Sequence, residues 1–158
     1  MRIAILVSSA LILVGVALSV YFLVVSNGGD VIKIELEAGK DGEVVFDDLC
    51  MVPGEETGYT LELMYKGKAD CKIKLDFNER AAGTLKNYAY VRIEAGGEVI
   101  YEKLLADALA EEAFDFPYEL KEGEPQTIDI IYYMPESVGN EAADAEADFE
   151  LLITVSDE

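Results

Sequence analysis

An uncharged apolar run near the amino terminus constrains this chain more than any other feature. Residues Ile3–Val25 make up 23 positions without a charge, broken only by Ser, Gly and Ala, and Arg2 precedes them. Apolar surface left in water costs about 25 cal/mol per Å², so such a run is not stable on the outside of a soluble domain. About 20 helical residues span the hydrocarbon core of a membrane. The run therefore predicts an apolar export helix.

The run fits two fates, a cleaved signal peptide and an uncleaved membrane anchor. The apolar region of a signal peptide usually has about 7–15 residues, and this one is longer. The small residues behind it allow a cut after Ser26 or after Gly28, although neither is a clean Ala-x-Ala site. We expect cleavage at one of these two positions, with retention as an anchor as the alternative.

The chain that follows the run is predicted to form one extracellular domain. The positive-inside rule places Arg2 in the cytoplasm and Asp30 onward outside. About 130 residues remain, which is enough for one domain with its own core. Residues 1–28 are thus a signal peptide or signal anchor, and residues 29–158 are a domain that is secreted or held at the outer face of the cell membrane through residues 3–25.

The exported part is strongly acidic. Without Arg2 it has 11 basic and 32 acidic residues, a net charge of −21. Such a charge excludes nucleic acid as a partner, because the phosphate backbone is repelled. It favours solubility, divalent cations or a basic partner. The hydrophobic content of 51% is too high for a disordered chain, so the acidic residues are expected to coat a packed domain.

Most segments after Asp30 alternate between apolar and polar residues, which is the period of half-buried strands. The period changes near Glu102–Glu112, where Leu and Ala recur at helical spacing. We therefore predict an all-β fold, a jelly-roll-type antiparallel β-sandwich with one inserted short helix, preceded by the apolar export helix. Three predicted inner rows are Tyr59, Leu61, Leu63 and Tyr65; Cys71, Ile73, Leu75 and Phe77; and Phe149, Leu151, Ile153 and Val155.

Cys50 and Cys71 are the two cysteines of the exported part. An even number of cysteines outside the cytoplasm favours a disulfide. Closing a loop of about 20 residues would stabilise the fold by about 3 kcal/mol. The alternative is two buried free thiols, because free cysteine is common in protein cores.

Signals of catalysis are thin. The chain has no histidine, which excludes Ser-His-Asp, Cys-His and His-Glu-x-x-His sites. Paired carboxylates can hydrolyse glycosides, but 32 acidic residues produce chance pairs, and there is no Trp to stack a sugar. We predict no enzyme activity, no catalytic residue, no cofactor and no metal site. A weaker alternative is calcium, held by the alternating acidic residues Asp144, Glu146, Asp148 and Glu150.

Tyrosines recur in two of the predicted strands. Tyr88 and Tyr90 are predicted to share one strand face with Arg92, and Tyr132 and Tyr133 end another strand. Tyrosine is favoured at recognition surfaces, but it is also favoured in strands for its packing. We expect these tyrosines to be mainly structural.

Two stretches of the chain resemble the TasA/camelysin family. Met51-Val52-Pro53-Gly54-Glu55, followed by an alternating strand, is similar to the family's Pro-Gly-Asp segment. Ile131–Val155 is similar to its Leu-Pro-Glu, Gly-Asn and terminal-strand pattern, and Gly97–Tyr101 resembles the entry to its inserted helix. Members are exported bacterial proteins with a jelly-roll domain, many of which build extracellular or biofilm matrix fibres.

The resemblance implies a mechanism of self-assembly. An amino-terminal strand released by cleavage would add to the sheet of a neighbouring subunit, so that backbone hydrogen bonds link the copies. The candidate donor is Val31–Glu37, with Ile32, Ile34 and Leu36 as its apolar anchors. In the alternative, this strand pairs within its own domain. The protein would then be a membrane-anchored extracellular binding module that recognises another surface protein or a ligand.

Overall fold

The computed structural model describes residues 20–24, 31–142 and 145–156, of which 20–24, 47 and 48 are described by their backbone only. These residues form ten strands, one α-helix and two short 3-10 helices, at Leu85–Asn87 and Asn140–Ala142. In chain order the main elements are β1 (Val20–Val24), β2 (Val31–Leu36), β3 (Gly42–Cys50), β4 (Glu56–Tyr65), β5 (Lys72–Ala81), β6 (Tyr90–Ala95), β7 (Glu98–Leu104), α1 (Leu105–Ala110), β8 (Phe114–Asp115), β9 (Pro125–Tyr133) and β10 (Glu146–Ser156).

The strands form two five-stranded sheets that pack face to face. Sheet A has the order β1-β3-β10-β5-β8, and sheet B has the order β2-β4-β9-β6-β7. The pairs β1–β3 and β2–β4 are parallel, whereas the other paired strands are antiparallel. This arrangement confirms the predicted β-sandwich with one short inserted helix.

The core lies between the two sheets and consists of the alternating apolar residues. All three predicted inner rows are buried, because every second side chain of a strand points to the same face. Phe46, Tyr59, Tyr132 and Phe149 form an aromatic cluster, with ring centroids 5.1–6.1 Å apart, that joins the two sheets. The rings of this cluster come from β3, β4, β9 and β10, so four strands meet in it.

The helix is shorter than the sequence predicts. The predicted helix covers Glu102–Glu112, whereas α1 covers Leu105–Ala110. Residues up to Leu104 belong to β7, where Tyr101 and Lys103 pair with β6. Helical periodicity is a local preference, and the ladder of hydrogen bonds to β6 overrides it. Glu111 ends the helix in an extended conformation and accepts hydrogen bonds from the side chains of Lys103 and Tyr101.

The end of the predicted export helix is a strand. Val20–Val24 form β1, with Val20 opposite Gly42 and Val24 opposite Phe46 of β3. Valine, tyrosine and phenylalanine favour strands, which is consistent with this pairing. The rest of the apolar run and the predicted cleavage positions Ser26 and Gly28 lie outside the described residues. Across the described part of the chain, no helix has the length and apolar character needed to cross a membrane.

The predicted disulfide between Cys50 and Cys71 is wrong, because the cysteines lie at opposite ends of the sandwich. Cys50 pairs with Glu146 at the start of β10, whereas Lys72, next to Cys71, pairs with Ser156 at its end. At about 3.4 Å per residue, the length of β10 separates the cysteines by about 30 Å. A disulfide needs Cα atoms within about 7 Å. Cys50 is exposed, Cys71 is buried as predicted, and no disulfide joins them.

Candidate functional site

The first two strands close the same side of the sandwich, which we call the amino-terminal edge. Strand β1 is the outer strand of sheet A and pairs with β3, and β2 is the outer strand of sheet B and pairs with β4. Gly42 of β3 lies close to the side chains of β2. A Cβ atom at Gly42 would lie 2.9 Å from Leu36 Cδ2 and 3.2 Å from Ile34 Cγ2 of β2. The absence of a side chain at Gly42 therefore makes room for the apolar anchors of β2.

Strand β2, the predicted donor, pairs within its own domain. Ile34 and Leu36 are buried in the core, and Ile32 is partly buried against it. Lys33 lies opposite Glu62 of β4, and its Nζ is 3.1 Å from Glu62 Oε1. The structure thus has the closed arrangement, in which the three anchors fill the domain that carries them.

Val45, on the outer face of β3, is buried although it points away from the core. Val44 and Phe46 of β3 face the core, so Glu43 and Val45, which alternate with them, face outward. The exposed fraction of Val45 is only 5%. In the register of sheet A, Val45 lies between Leu23 of β1 and Glu150 of β10. Strand β3 therefore has a neighbouring strand on each side at Val45.

Glu43, which also lies on the outer face of β3, has a raised pKa. Burial raises the pKa of the Glu43 carboxyl above its usual 4.5, and a side-chain hydrogen bond with Glu150 and its negative charge raise it further. Arg80 partly offsets the charge, since its Nε lies 3.7 Å from Glu150 Oε2. The Glu43 carboxyl therefore keeps its proton to a higher pH than a carboxyl in water does.

This pair predicts a pH dependence of stability. Because the pKa of Glu43 is raised in the folded chain, the folded state binds more protons than the unfolded state above pH 4.5. Stability therefore falls as pH rises through the window just above 4.5. We expect Glu43→Gln to raise the free energy of unfolding at pH 7 by about 0.2–1 kcal/mol, as for other like-charged pairs in sheets. Urea unfolding at pH 5, 6 and 7 should show this gain shrinking toward pH 5.

Glu37→Gln is the matched control for this pH series. Lys40 lowers the pKa of Glu37, through a side-chain hydrogen bond first and its charge second. Glu37 therefore contributes stability that is present above pH 4.5 and is lost as pH falls through its lowered pKa. Its replacement should reduce stability at pH 7, opposite in sign to Glu43→Gln. A gain from Glu43→Gln that is the same at every pH would contradict the raised pKa of Glu43.

The tyrosines on the outer face of sheet B pack against each other and against an arginine. The rings of Tyr90 and Tyr133 are stacked with centroids 5.3 Å apart, and Arg92 lies 5.6 Å from the Tyr133 centroid. The hydroxyl of Tyr133 donates a hydrogen bond of 2.8 Å to Glu102. The Tyr133 ring thus contacts Tyr90 and Arg92, and its hydroxyl is bonded to Glu102, which supports a structural role. Tyr88 lies before β6 and not on it, contrary to expectation.

A cavity of about 660 Å³ opens at the β4–β5 hairpin end of the sandwich. The sequence did not predict it, because residues far apart in the chain line it, among them Glu37, Tyr65, Lys68, Asp70 and Ser156. Its lining mixes both signs of charge, so the cavity shows no preference for an anion or a cation.

The acidic residues of β10 lie on its outward face. Glu146 is exposed, and Asp148 and Glu150 are half-buried, whereas Asp144 lies outside the described residues. Among the residues that the structure describes, no group of three or more Cys, Asp and Glu side chains is placed to hold a metal ion.

Comparison with known proteins supplies structural similarities only. No protein-family model and no curated protein sequence matches the chain. The periplasmic inhibitor of g-type lysozyme PliG from Aeromonas hydrophila is 12% identical, over 80% of this chain and 97% of PliG, with a TM-score of 0.40. The CUB1-EGF-CUB2 domains of rat MASP-1 are 13% identical, over 80% of this chain and 43% of that fragment, with a TM-score of 0.41.

The full extracellular region of zebrafish Gpr126/Adgrg6 is 12% identical, with a TM-score of 0.38, and the match covers 82% of this chain but 15% of that region. The chain therefore spans less than half of the length of the MASP-1 fragment and a small part of the Gpr126/Adgrg6 region. At these identities and TM-scores, none of the three similarities indicates what this chain binds.

Proposed function

We propose that this protein is an exported structural subunit that assembles outside the cell membrane into fibres by donating strand β2 to a neighbouring copy. The observation that carries the proposal is the position of β2. It is an outer strand near the amino terminus and, among the described strands, pairs only with β4, yet two of its side chains fill the space between the sheets. Such a strand can leave its own domain and occupy the same place in another copy.

The exchange conserves the contacts that hold β2. Fully burying a Leu or Ile side chain stabilises by about 1.5–3 kcal/mol, so a copy that has lost its own β2 strongly favours a donated one. Residues 37–41 join β2 to β3 and would act as the hinge. In an exchanged chain, Ile34 and Leu36 would pack over Gly42 of the neighbour as they pack over their own. Domain swapping of this kind links subunits at low cost.

The remaining support comes from the sequence. The apolar run Ile3–Val25 with Arg2 before it favours export, and a cut after Ser26 or Gly28 frees the chain just before β2. The resemblance to the TasA/camelysin family, in the Met51–Glu55 segment and in Ile131–Val155, points to fibre formation. The negative charge of the exported part keeps single subunits soluble until they exchange strands.

A cysteine pair tests the exchange directly. Lys33 and Glu62 are directly opposed between β2 and β4, so Lys33→Cys with Glu62→Cys reports where β2 is bound. Cys50→Ser removes the exposed native thiol. In the closed domain the new disulfide stays within one chain, whereas in a fibre it joins neighbours. We expect the secreted, oxidised protein to give a ladder of linked subunits on a non-reducing gel, and fibres by electron microscopy.

The control pair is Thr60→Cys with Asp129→Cys. Thr60 donates a hydrogen bond of 2.6 Å to Asp129 between β4 and β9, and neither strand is exchanged. This pair should link within one chain only. A single monomer band from the Lys33–Glu62 pair, after secretion from a Gram-positive host, would rule out exchange of β2. Mass spectrometry of the same sample should find a mature chain that starts at Asn27 or Gly29.

A second candidate function is a membrane-anchored extracellular binding module for another surface protein or a ligand. The pairing of β1 with β3 favours an uncut chain, because a cut after Ser26 or Gly28 would remove Val20–Val24 from the fold. With Val20–Val24 in sheet A, residues 3–19 are left to cross the membrane, which is about the shortest length that can span it. This candidate predicts a product that keeps residues 1–26, stays in the membrane fraction and remains monomeric. The mass of the secreted or retained chain separates the two functions.

A further inference from the structure

Strand β3 has the least protected edge of the sandwich once β1 is left aside. Proteins protect outer strands with short length, lysines, prolines or bulges. Strand β8 has only two residues. The pairing of β7 with β6 is irregular between Ile93 and Glu94, and β7 carries Lys103. Strand β2 carries Lys33 near its centre. In contrast, Gly42–Phe46 has one charged residue, and its register with β10 is regular from Gly42 to Phe46. Among the strands that the structure describes, β1 alone pairs with this edge.

The position of β1 in the chain makes this cover removable. Val20–Val24 precede both predicted cleavage positions, Ser26 and Gly28, whereas β2 follows them. We propose that cleavage removes β1 and uncovers the edge of β3, so that two mature chains pair through Gly42–Phe46, β3 against β3. The inference rests on the export and cleavage of the proposed function, but it uses a different strand and the other sheet.

The edge of β3 is complementary to itself. In an antiparallel pair centred on Val44, Glu43 of each copy lies opposite Val45 of the other, and Gly42 lies opposite Phe46. Directly opposed carboxylates would be destabilising, and this register contains none. Strand β1 pairs with the same five residues in parallel, with Val20, Phe22 and Val24 opposite Gly42, Val44 and Phe46 of β3. A second β3 therefore offers the edge the same kind of strand that β1 does.

Pairing would join the two sheets A into one. Without β1, sheet A keeps four of its five strands, so two copies make a continuous sheet of eight strands. The symmetry is two-fold, and the interface uses the same residues in both copies. Because each copy is strongly acidic, the two chains repel one another at long range, and added salt should strengthen the dimer by screening this repulsion.

Two purified chains that differ only in β1 and the residues behind it test the inference. Residues 29–158 form the mature chain, and residues 20–158 keep the cover. Among the side chains that the structure describes, every buried core residue lies between Ile34 and Val155, and both chains contain all of these. By sedimentation equilibrium over a range of concentrations, we expect the 29–158 chain to dimerise through β3. In the 20–158 chain β1 occupies that edge, so any association of the 20–158 chain should be insensitive to Val45→Lys.

A single substitution locates the interface. Val45→Lys in the 29–158 chain places a charge in the middle of the β3 edge and should abolish the dimer. Val99→Lys is its matched control, because Val99 is 54% exposed and lies on the outer strand at the opposite side of sheet B. It should leave the dimer intact. As a measurement on the unmodified chain, a synthetic peptide of residues 18–26 should occupy the β3 edge and dissociate the dimer.

The outcomes separate this inference from the fibre proposal. A 29–158 chain that stays monomeric at all concentrations, or a 20–158 dimer that Val45→Lys abolishes, would overturn the β3 pairing. So would a dimer that survives both Val45→Lys and the peptide. If such a dimer also links through the Lys33–Glu62 cysteine pair, strand exchange through β2 stands and the β3 pairing falls. If Val45→Lys abolishes the dimer and the cysteine pair does not link two chains, the β3 pairing stands and strand exchange through β2 falls.

Discussion

Replacing Phe149 with alanine is expected to lower the free energy of unfolding by about 3–5 kcal/mol. The Phe149 ring is fully buried and lies at the centre of the aromatic cluster. Its centroid is 5.1 Å from that of Phe46 in sheet A and 5.3 Å from that of Tyr132 in sheet B. The substitution would leave a cavity between the sheets that neighbouring rings cannot fill by small movements. Urea unfolding followed by circular dichroism measures the loss.

Tyr132→Phe is the matched control in the same cluster, and it is expected to change stability in the opposite direction. Burial raises the pKa of Tyr132 well above its usual value. Its hydroxyl finds no hydrogen-bond partner within the described part of the chain. A buried polar group without a partner costs about 1–3 kcal/mol, so its removal should leave the free energy of unfolding unchanged or higher. A marked loss of stability would show that this hydroxyl is bonded.

Gly83→Ala should have the second large effect. Gly83 lies between β5 and the 3-10 helix at Leu85–Asn87, and it passes close to the start of β10. A Cβ atom there would lie 2.1 Å from the carbonyl oxygen of Glu146 and 2.9 Å from Ala147 Cα. Both neighbours are backbone atoms, so β10 would have to move. We expect a loss of about 3 kcal/mol, at the upper end of the usual cost of overpacking.

Thermal unfolding provides the measurement, with Gly58→Ala as the control. A Cβ atom at Gly58 would lie 3.6 Å from Ile131 Cγ1, which is an ordinary contact. The control should stay within about 0.5 kcal/mol of the unchanged protein. For a domain of this size, a loss of 3 kcal/mol corresponds to a fall in Tm of roughly 6–12 °C. Equal Tm values for the two variants would mean that Gly83 is not in close contact with β10.

The candidate site was only partly predictable. The anchors Ile34 and Leu36 stand out because they alternate with Lys33 and Glu35, and the structure buries both of them. Nothing local to Glu43–Phe46 indicates that its edge is paired, because the pairing depends on a strand about 20 residues earlier in the chain. The pairing of β1 with β3 is therefore indicated in the sequence only by the strand-forming residues of Val20–Val24.

The sequence by itself determined which residues face the core. Alternation is a property of neighbouring residues, and the pleat of a strand converts it directly into an inner and an outer row, as in Phe149, Leu151, Ile153 and Val155. Position along and across the sheets was decided by the tertiary structure alone. Pairing with β10 places Cys50 and Cys71 at opposite ends, and pairing with β6 assigns Tyr101–Leu104 to a strand. Register and strand order depend on contacts between distant segments, which local periodicity does not encode.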